Sequence, residues 1–348
     1  MEKQNSEIKA LNYFNAIACL LVVLLHTLSY VISNGTPSSC LVLLTYIPWK
    51  ISGVVVPAFL FCGAVKLALA EERGQMPYGQ YLLRRVRKIY LPYVVWCALY
   101  YVCLMAIHYV TPDAGEFVRG VLLGTISSQF YYVVIAMQFY LLRPLWRWML
   151  RRVPWFVGIP VALLLTLLSD QLPAVLALAG ISFAYADRIV PTYLIFLVLG
   201  LYVGKYYSAV RAGLWAGRKA VLGSGVMVLL FVGICYLQYA QVLSAYDTNT
   251  LKKCSDVITI GILLLACIRL EEAGARLQRL ISHVHEASLF VFMSHCLFLV
   301  LAMDKMYQMG VTRIRTFVLG RAIAGFAVPF GLYALWRLVR RWRPGKAG

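Results

Sequence analysis

Residues 11–30 read LNYFNAIACLLVVLLHTLSY. A helix rises about 1.5 Å per residue, so a run of this length matches the roughly 30 Å of a bilayer's hydrocarbon core. The stretch therefore predicts a membrane-spanning helix, and its most polar residues, beyond the hydroxyls of Thr27, Ser29 and the tyrosines, are Asn12, Asn15 and His26. An imidazole in lipid needs a partner on a neighbouring helix, a water-filled cavity, or a job. His26 sets the functional question.

Composition agrees with the first run. Of the 348 residues, 61% are hydrophobic and 14% charged, and the mean hydropathy is +0.76. Soluble domains carry about 45–50% apolar and about 25% charged residues. The apolar runs are continuous rather than alternating, which predicts an all-α polytopic membrane protein and not a barrel. The opening MEKQNSEIKA has neither the cationic start nor the small-residue cleavage site of a removable signal, so the first run is expected to be retained.

Windows near bilayer length fall at 11–32, 51–70, 89–110, 131–150, 154–169, 189–207, 220–240, 254–270, 287–303 and 316–338, predicting about ten spans. The fourth is interrupted by Arg143 and Pro144, and the fifth is short. CLVLLTYI (40–47) and FVRGVLLGTI (117–126) are expected as surface or re-entrant pieces. With ten spans, one set of loops and both termini carry 23 Lys and Arg residues, the opposite loops carry 8, and Lys66 and Arg321 fall in neither set. The positive-inside rule then predicts N-in, C-in. The net charge of +19 follows mostly from topology, and nucleic acid drops out as a partner. Short loops and the lack of an internal repeat predict one integral-membrane domain over residues 1–348.

The nine cysteines (19, 40, 62, 97, 103, 235, 254, 267 and 296) lie mostly in apolar runs with no Cys-x-x-Cys pair, which predicts buried free thiols. Cys296 beside His295 is the one adjacency, and one thiol does not make a zinc site, so no metal is expected. His108, His283 and His285 fall at interfaces or in a loop. His26 and His295 lie within spans, where packing and function compete evenly. An imidazole facing a cavity is suited to take a proton from a sugar hydroxyl as it attacks a thioester.

Three further features bear on chemistry. Arg84, Arg85, Arg87 and Lys88 cluster where the third span begins and run straight into the apolar helix four residues before Pro92. Such a cluster either anchors the span or grips phosphate, as coenzyme A or a lipid-linked sugar would offer. Gln129 and Gln138 place amides in the fourth span, where they need partners. Asp256 is an acid just inside the eighth span, either a partner for a histidine or glycan hydroxyl or an interfacial residue beside Lys252 and Lys253. No nucleophile elbow, phosphate-binding glycine loop or His-Glu-x-x-His occurs.

Five segments taken in order resemble the bacterial membrane acyltransferases called acyltransferase 3. IACLLVVLLH (17–26) is similar to the family's opening helix, and SGVVVPAFLFCGAVK (52–66) to its second. RRVRKIYLP (84–92) resembles its arginine-rich entry to the third. FYYVVIAMQFYLLRP (130–144) resembles the aromatic helix of exopolysaccharide-linked members, and SLFVFMSH (288–295) a late element. The resemblance spans nearly the whole chain. It implies O-acyl transfer, commonly of acetyl, from cytoplasmic acyl-coenzyme A to a cell-surface glycan or lipid-linked precursor in the bacterial inner membrane. Acyl-coenzyme A would be a cosubstrate, with no tightly bound cofactor. Partners would be the bilayer, the glycan acceptor and the glycan-synthesis machinery.

Carried over by position, His26 would be the catalytic histidine and His295 a second cavity residue. Arg84, Arg85 and Arg87 would lie near the donor. One departure stands out: where the family has an aspartate and, eleven positions before the histidine, an arginine, this chain has Asn12 and Asn15. The leading hypothesis is a membrane O-acyltransferase with His26 as general base in a cavity open to the cytoplasm. Its rivals are an exopolysaccharide exporter or flippase component, and a non-catalytic partner of a glycan synthase.

Overall fold

The run at 11–30 lies within one helix, α1 (Glu2–Asn34), in a computed structural model of the chain. The structure describes residues 2–74, 76–244 and 247–342, with the side chains of 2–8, 341 and 342 left out. Arg343 and Lys346 of the basic tail lie outside these residues. No strand occurs among the described residues, as the continuous apolar runs predicted.

The chain continues through α2 (Cys40–Ser52), α3 (Val55–Glu72), α4 (Tyr78–Arg85), α5 (Leu91–Ala106) and α6 (Ala114–Leu123). Next come α7 (Tyr131–Leu141), α8 (Arg143–Arg152), α9 (Trp155–Leu178), α10 (Leu194–Lys205), α11 (Tyr207–Ala216) and α12 (Arg218–Gly223). The last are α13 (Gly225–Tyr239), α14 (Asn249–Leu270), α15 (Ala275–Gln308), α16 (Ile314–Ala322) and α17 (Val328–Trp342).

Among the described residues, seven helical stretches are long and apolar enough to cross a membrane, and an eighth joins them if the pair α10–α11, bent by 97°, is one span. The two remaining predicted windows are helical, one broken and the other unbroken but charged near its ends. At 131–150 the helix breaks between α7 and α8, because Pro144 has no amide proton to continue the ladder. At 254–270, α14 is 22 residues long but carries Lys252, Lys253, Asp256 and Arg269.

Two sequence expectations need correction. Residues 40–47, expected as a surface or re-entrant piece, instead belong to α2, which runs through a tight turn at Gly53 into α3 to form one 33-residue apolar stretch. Nor are all the thiols buried: Cys40 and Cys254 are exposed and Cys103 partly so, though all nine are free. The piece at 117–126 does lie largely in a short helix, α6, opened by the Asp113 side chain and closed by Gly124 in the left-handed region.

Close packing holds the centre. Gly200 and Gly204 on α10 face α3, where an added Cβ would lie 2.5 Å from the Phe61 carbonyl oxygen and 2.6 Å from Ala68 Cβ respectively. This small-xxx-small pair lets the two backbones touch, which in lipid replaces the missing hydrophobic drive between helices. Outward, α9 and α13 present Leu164, Leu168, Leu229 and Leu230, the surface that a bilayer covers.

Polar contacts divide between two ends of the bundle. At one end Lys9 donates to Gln278, Arg143 pairs with Glu71, Arg211 pairs with Glu271 and Arg337 pairs with Glu286. At the other, Tyr30 meets Tyr307, Lys253 pairs with Asp170 and Tyr236 donates to Pro37. The helix that begins at Lys9 and the helix that carries Arg337 thus share one end, the Arg-rich face.

Two helices widen into π turns, at Val86–Tyr90 and Ile323–Ala327. Each ends two residues before a proline, Pro92 and Pro329, whose ring would otherwise strike the carbonyl one turn back. The second π turn brings Gly325 against α1, where a Cβ would sit 3.0 Å from Thr27 Oγ1.

Candidate functional site

His26 and His295 meet. Their ring centroids are 5.3 Å apart, although 269 positions separate them in sequence. His295 is fully buried, with Nδ1 3.0 Å from the carbonyls of both Val291 and Phe292. Carbonyls only accept, so Nδ1 carries the proton and Nε2 keeps its lone pair. That nitrogen lies 3.3 Å from Cys296 Sγ, and the thiol donates. His26 is half-buried, and its backbone carbonyl accepts from Arg321 Nη2 at 2.5 Å.

Arg321 is a functional candidate that sequence spacing did not assign. It is 8% exposed, bonds the Thr27 carbonyl through Nε at 3.3 Å, and lies over the Tyr30 ring. It enters from α16 just ahead of the π turn, and π turns concentrate at functional sites. Its place as a cation inside the tenth window, sixteen positions from Arg337 at that window's end, was the available signal.

A polar network backs His295. Gln129, 2% exposed, donates to the Tyr100 hydroxyl at 2.9 Å and accepts from Ser127 at 2.6 Å. Tyr100 donates to the Met293 carbonyl and accepts from the Leu297 amide. The Gln129 amide thus has the partners that lipid demands, and it fixes the segment bearing His295. Ser128 Oγ stands 4.0 Å from Cys296 Sγ.

Depth is the main departure from expectation. His26 is 17 residues above Lys9, about 26 Å along the helix axis, but only four below Tyr30, about 6 Å. The pair sits near the face opposite the Arg-rich one. A cavity opening straight to the Arg-rich side was expected; the shorter way out leads to the other side. Cavities of about 330 and 160 Å³ lie at that face. They share Gly53, Lys252 and Asp256, and the smaller reaches Leu25 beside His26.

The remaining sequence candidates lie elsewhere. Asp256 pairs with Lys252 at 2.5 Å and lines both of these cavities. Gln138 works as a clamp, donating to the Arg188 carbonyl at 2.7 Å while accepting from the Val190 amide at 3.1 Å. Asn12 accepts from Lys66 Nζ at 3.1 Å, so α3 supplies a cation near the place where the family pattern has its charge pair. Asn15 is half-buried on the same helix. Arg84, Arg87 and Lys88 point outward and are exposed. Arg85 turns inward, stacked over the rings of Tyr81 and Tyr140.

An aromatic row joins the two regions. Arg143 also stacks on Tyr81, at 4.3 Å. Two turns up α7 from Tyr140, Tyr132 packs on Phe292 at 5.4 Å, and Phe292 stands 6.3 Å from His295.

One ring nitrogen of each histidine and the Cys296 thiol lie within 4.8 Å of one another. Spacing had shown only the adjacency of His295 and Cys296; the fold adds the third donor. Two imidazoles and a thiol are a donor set that zinc accepts. As it stands, the thiol and His295 already satisfy each other.

The family model described as an acyltransferase domain matches residues 8–337. A protein of Bacillus subtilis (strain 168), named "Putative membrane-bound acyltransferase YfiQ", is 23% identical over 320 residues, covering 85% of this chain and 82% of that protein. No solved structure matches. The chain belongs to the acyltransferase 3 family, and it is a membrane acyltransferase.

Proposed function

From this membership and the histidine pair we propose a specific reaction: transfer of an acyl group, acetyl first among them, from acyl-coenzyme A to a hydroxyl of a cell-surface glycan or its lipid-linked precursor. The setting is a bacterial inner membrane with the Arg-rich face in the cytoplasm, as the 23-to-8 division of Lys and Arg supports. The observation that carries the reading is the meeting of His26 with His295, one imidazole held in a single tautomer by helix carbonyls.

His26 takes the proton of the acceptor hydroxyl while that oxygen attacks the thioester carbonyl. The tetrahedral adduct then expels the coenzyme A thiolate, which receives the proton back from the imidazole. Ester and free thiol are the products, and no group is left over. A positioned acid–base of this kind contributes about 10²–10⁴ in rate. His295 faces His26 as a second proton carrier, and Arg321 fixes the backbone that bears the base.

The acceptor side fits the outer cavities. They offer Tyr131, Tyr193, Ser169, Thr192 and ion-paired Asp256 and Lys252, groups that bond neutral hydroxyls without inviting a strong charge. The exporter alternative drew on the missing charge pair at positions 12 and 15. The Lys66–Asn12 contact weakens that argument.

The test uses proteoliposomes with radiolabelled acetyl-coenzyme A at the Arg-rich face and host glycan extract at the other. Label is expected in the glycan fraction. Unlabelled glycan, with acetyl-coenzyme A intact, would count against the reading.

A further inference from the structure

A cleft of about 640 Å³ opens on the Arg-rich face between the start of α4 and the length of α8. Its walls include Tyr78, Arg143, Arg147, Trp148, Arg151 and Arg152. The sequence explains the density of charge: in RPLWRWMLRR (143–152), positions 147 and 151, and 148 and 152, stand one helical turn apart and face the same way. Glu71 offsets one charge, bonded to Arg143 at 2.5 Å with Arg147 at 3.9 Å. Arg151 and Arg152 are exposed and make no ion pair among the described residues. Beside them the Trp148 indole is 57% exposed, which leaves a ring face open beside the guanidinium groups.

Free guanidinium groups grip phosphate by paired charge-assisted hydrogen bonds, and an open indole face stacks a purine. Volumes of 300–1,000 Å³ are typical of small-molecule sites. The chemistry is therefore that of a phosphorylated nucleotide. The cleft's inner wall is Arg143, which stands at the foot of the row Tyr81–Tyr140–Tyr132–Phe292 leading to His295.

Resting on the acyl-coenzyme A reading above, we propose that this cleft holds the donor's adenosine 3′-phosphate 5′-diphosphate end. Arg147, Arg151 and Arg152 bind the phosphates and Trp148 stacks on the adenine. The thin acyl-bearing arm follows the aromatic row through the bundle, which lets a donor from the Arg-rich side reach histidines near the opposite face. Arg84, Arg87 and Lys88 are exposed and do not line this cleft.

The experiment is equilibrium binding to the full-length protein in nanodiscs of phosphatidylcholine alone, using acetyl-coenzyme A, its analogue lacking the 3′-phosphate, and adenosine 3′,5′-bisphosphate. Wild type is expected to bind acetyl-coenzyme A and adenosine 3′,5′-bisphosphate, and to prefer acetyl-coenzyme A over the analogue. Arg151→Ala/Arg152→Ala is expected to weaken acetyl-coenzyme A by about tenfold or more and to erase that preference. Trp148→Ala is expected to raise KM with kcat kept.

If wild type binds acetyl-coenzyme A and the α8 variants bind it equally well, the cleft assignment is wrong while the donor reading stands. If wild type binds none, the donor reading itself fails and takes the assignment with it. Phosphate could also come from a lipid headgroup. Full displacement of adenosine 3′,5′-bisphosphate by phosphatidylglycerol, with no preference for the 3′-phosphate, would give the cleft to lipid and overturn the proposal.

Discussion

Arg321 reaches across 295 positions of sequence to donate its Nη2 to the carbonyl oxygen of His26 at 2.5 Å. A guanidinium thus holds the backbone of the residue proposed as base, with the Thr27 carbonyl as its second acceptor. The cation is tolerated near the end of the bundle opposite the Arg-rich face because two carbonyls and the Tyr30 ring receive it.

Arg321 is a positioning residue, so its loss should act on turnover. Hydrogen bonds to charged groups are worth ~1.5–3 kcal/mol, and Arg321→Met should lower kcat by roughly one to two decades while KM for acetyl-coenzyme A stays put. Arg321→Lys, keeping the charge but one donor direction, should recover part of the loss. Steady-state kinetics on the two variants checks this; a rise in KM alone would place Arg321 in donor binding.

Cys296 donates to His295 Nε2, and serine can donate in its place. Cys296→Ser should cost less than tenfold in kcat and leave the metal content of the purified protein unchanged. Loss of activity together with loss of a bound metal would instead make the histidines and thiol a metal centre.

Asn12 accepts from Lys66 across α1 and α3. Asn12→Asp places a carboxylate on that ammonium and turns a neutral contact into a charge-assisted one. The unfolding temperature in detergent should rise. A fall would mean that desolvating the new carboxylate outweighs the pairing.

Gly200 lies against the Phe61 carbonyl, where a Cβ would sit at 2.5 Å. Gly200→Ala forces the two central helices apart and should cost about 1–3 kcal/mol, the usual range for overpacking. Thermal unfolding of the purified variant reads the effect. The same change at Gly233, where a Cβ meets nothing within 4 Å, should be harmless.

The fold class was legible because lipid leaves so few choices: a continuous apolar run must be a helix, and the runs were long. Span edges were less legible. The break at Leu142 follows from a proline visible in sequence, but the joining of 40–47 to the second span depends on a turn at Gly53 that no pattern announced. Within the site, His26 and His295 could each be singled out as polar groups in apolar runs, but their contact is a tertiary fact. Arg321, Lys66 and the α8 cleft were hidden. The arginines of α8 were absorbed by the topology count as membrane anchoring, Lys66 and Arg321 fell outside that count without a role, and only packing tells an inward cation from an outward one. Arg84 and Arg85, neighbours in sequence, show the difference: one is exposed and the other stacks between tyrosines.

The most direct test of the central claim is acetyl transfer by purified protein carrying His26→Gln, compared with wild type under saturating acetyl-coenzyme A. Glutamine keeps a polar group of similar reach but cannot take and return a proton at neutral pH. The account predicts that His26→Gln binds acetyl-coenzyme A like wild type and transfers acetyl at least a hundredfold more slowly, within the general acid–base range. Transfer at the wild-type rate would contradict it and remove His26 from the chemistry.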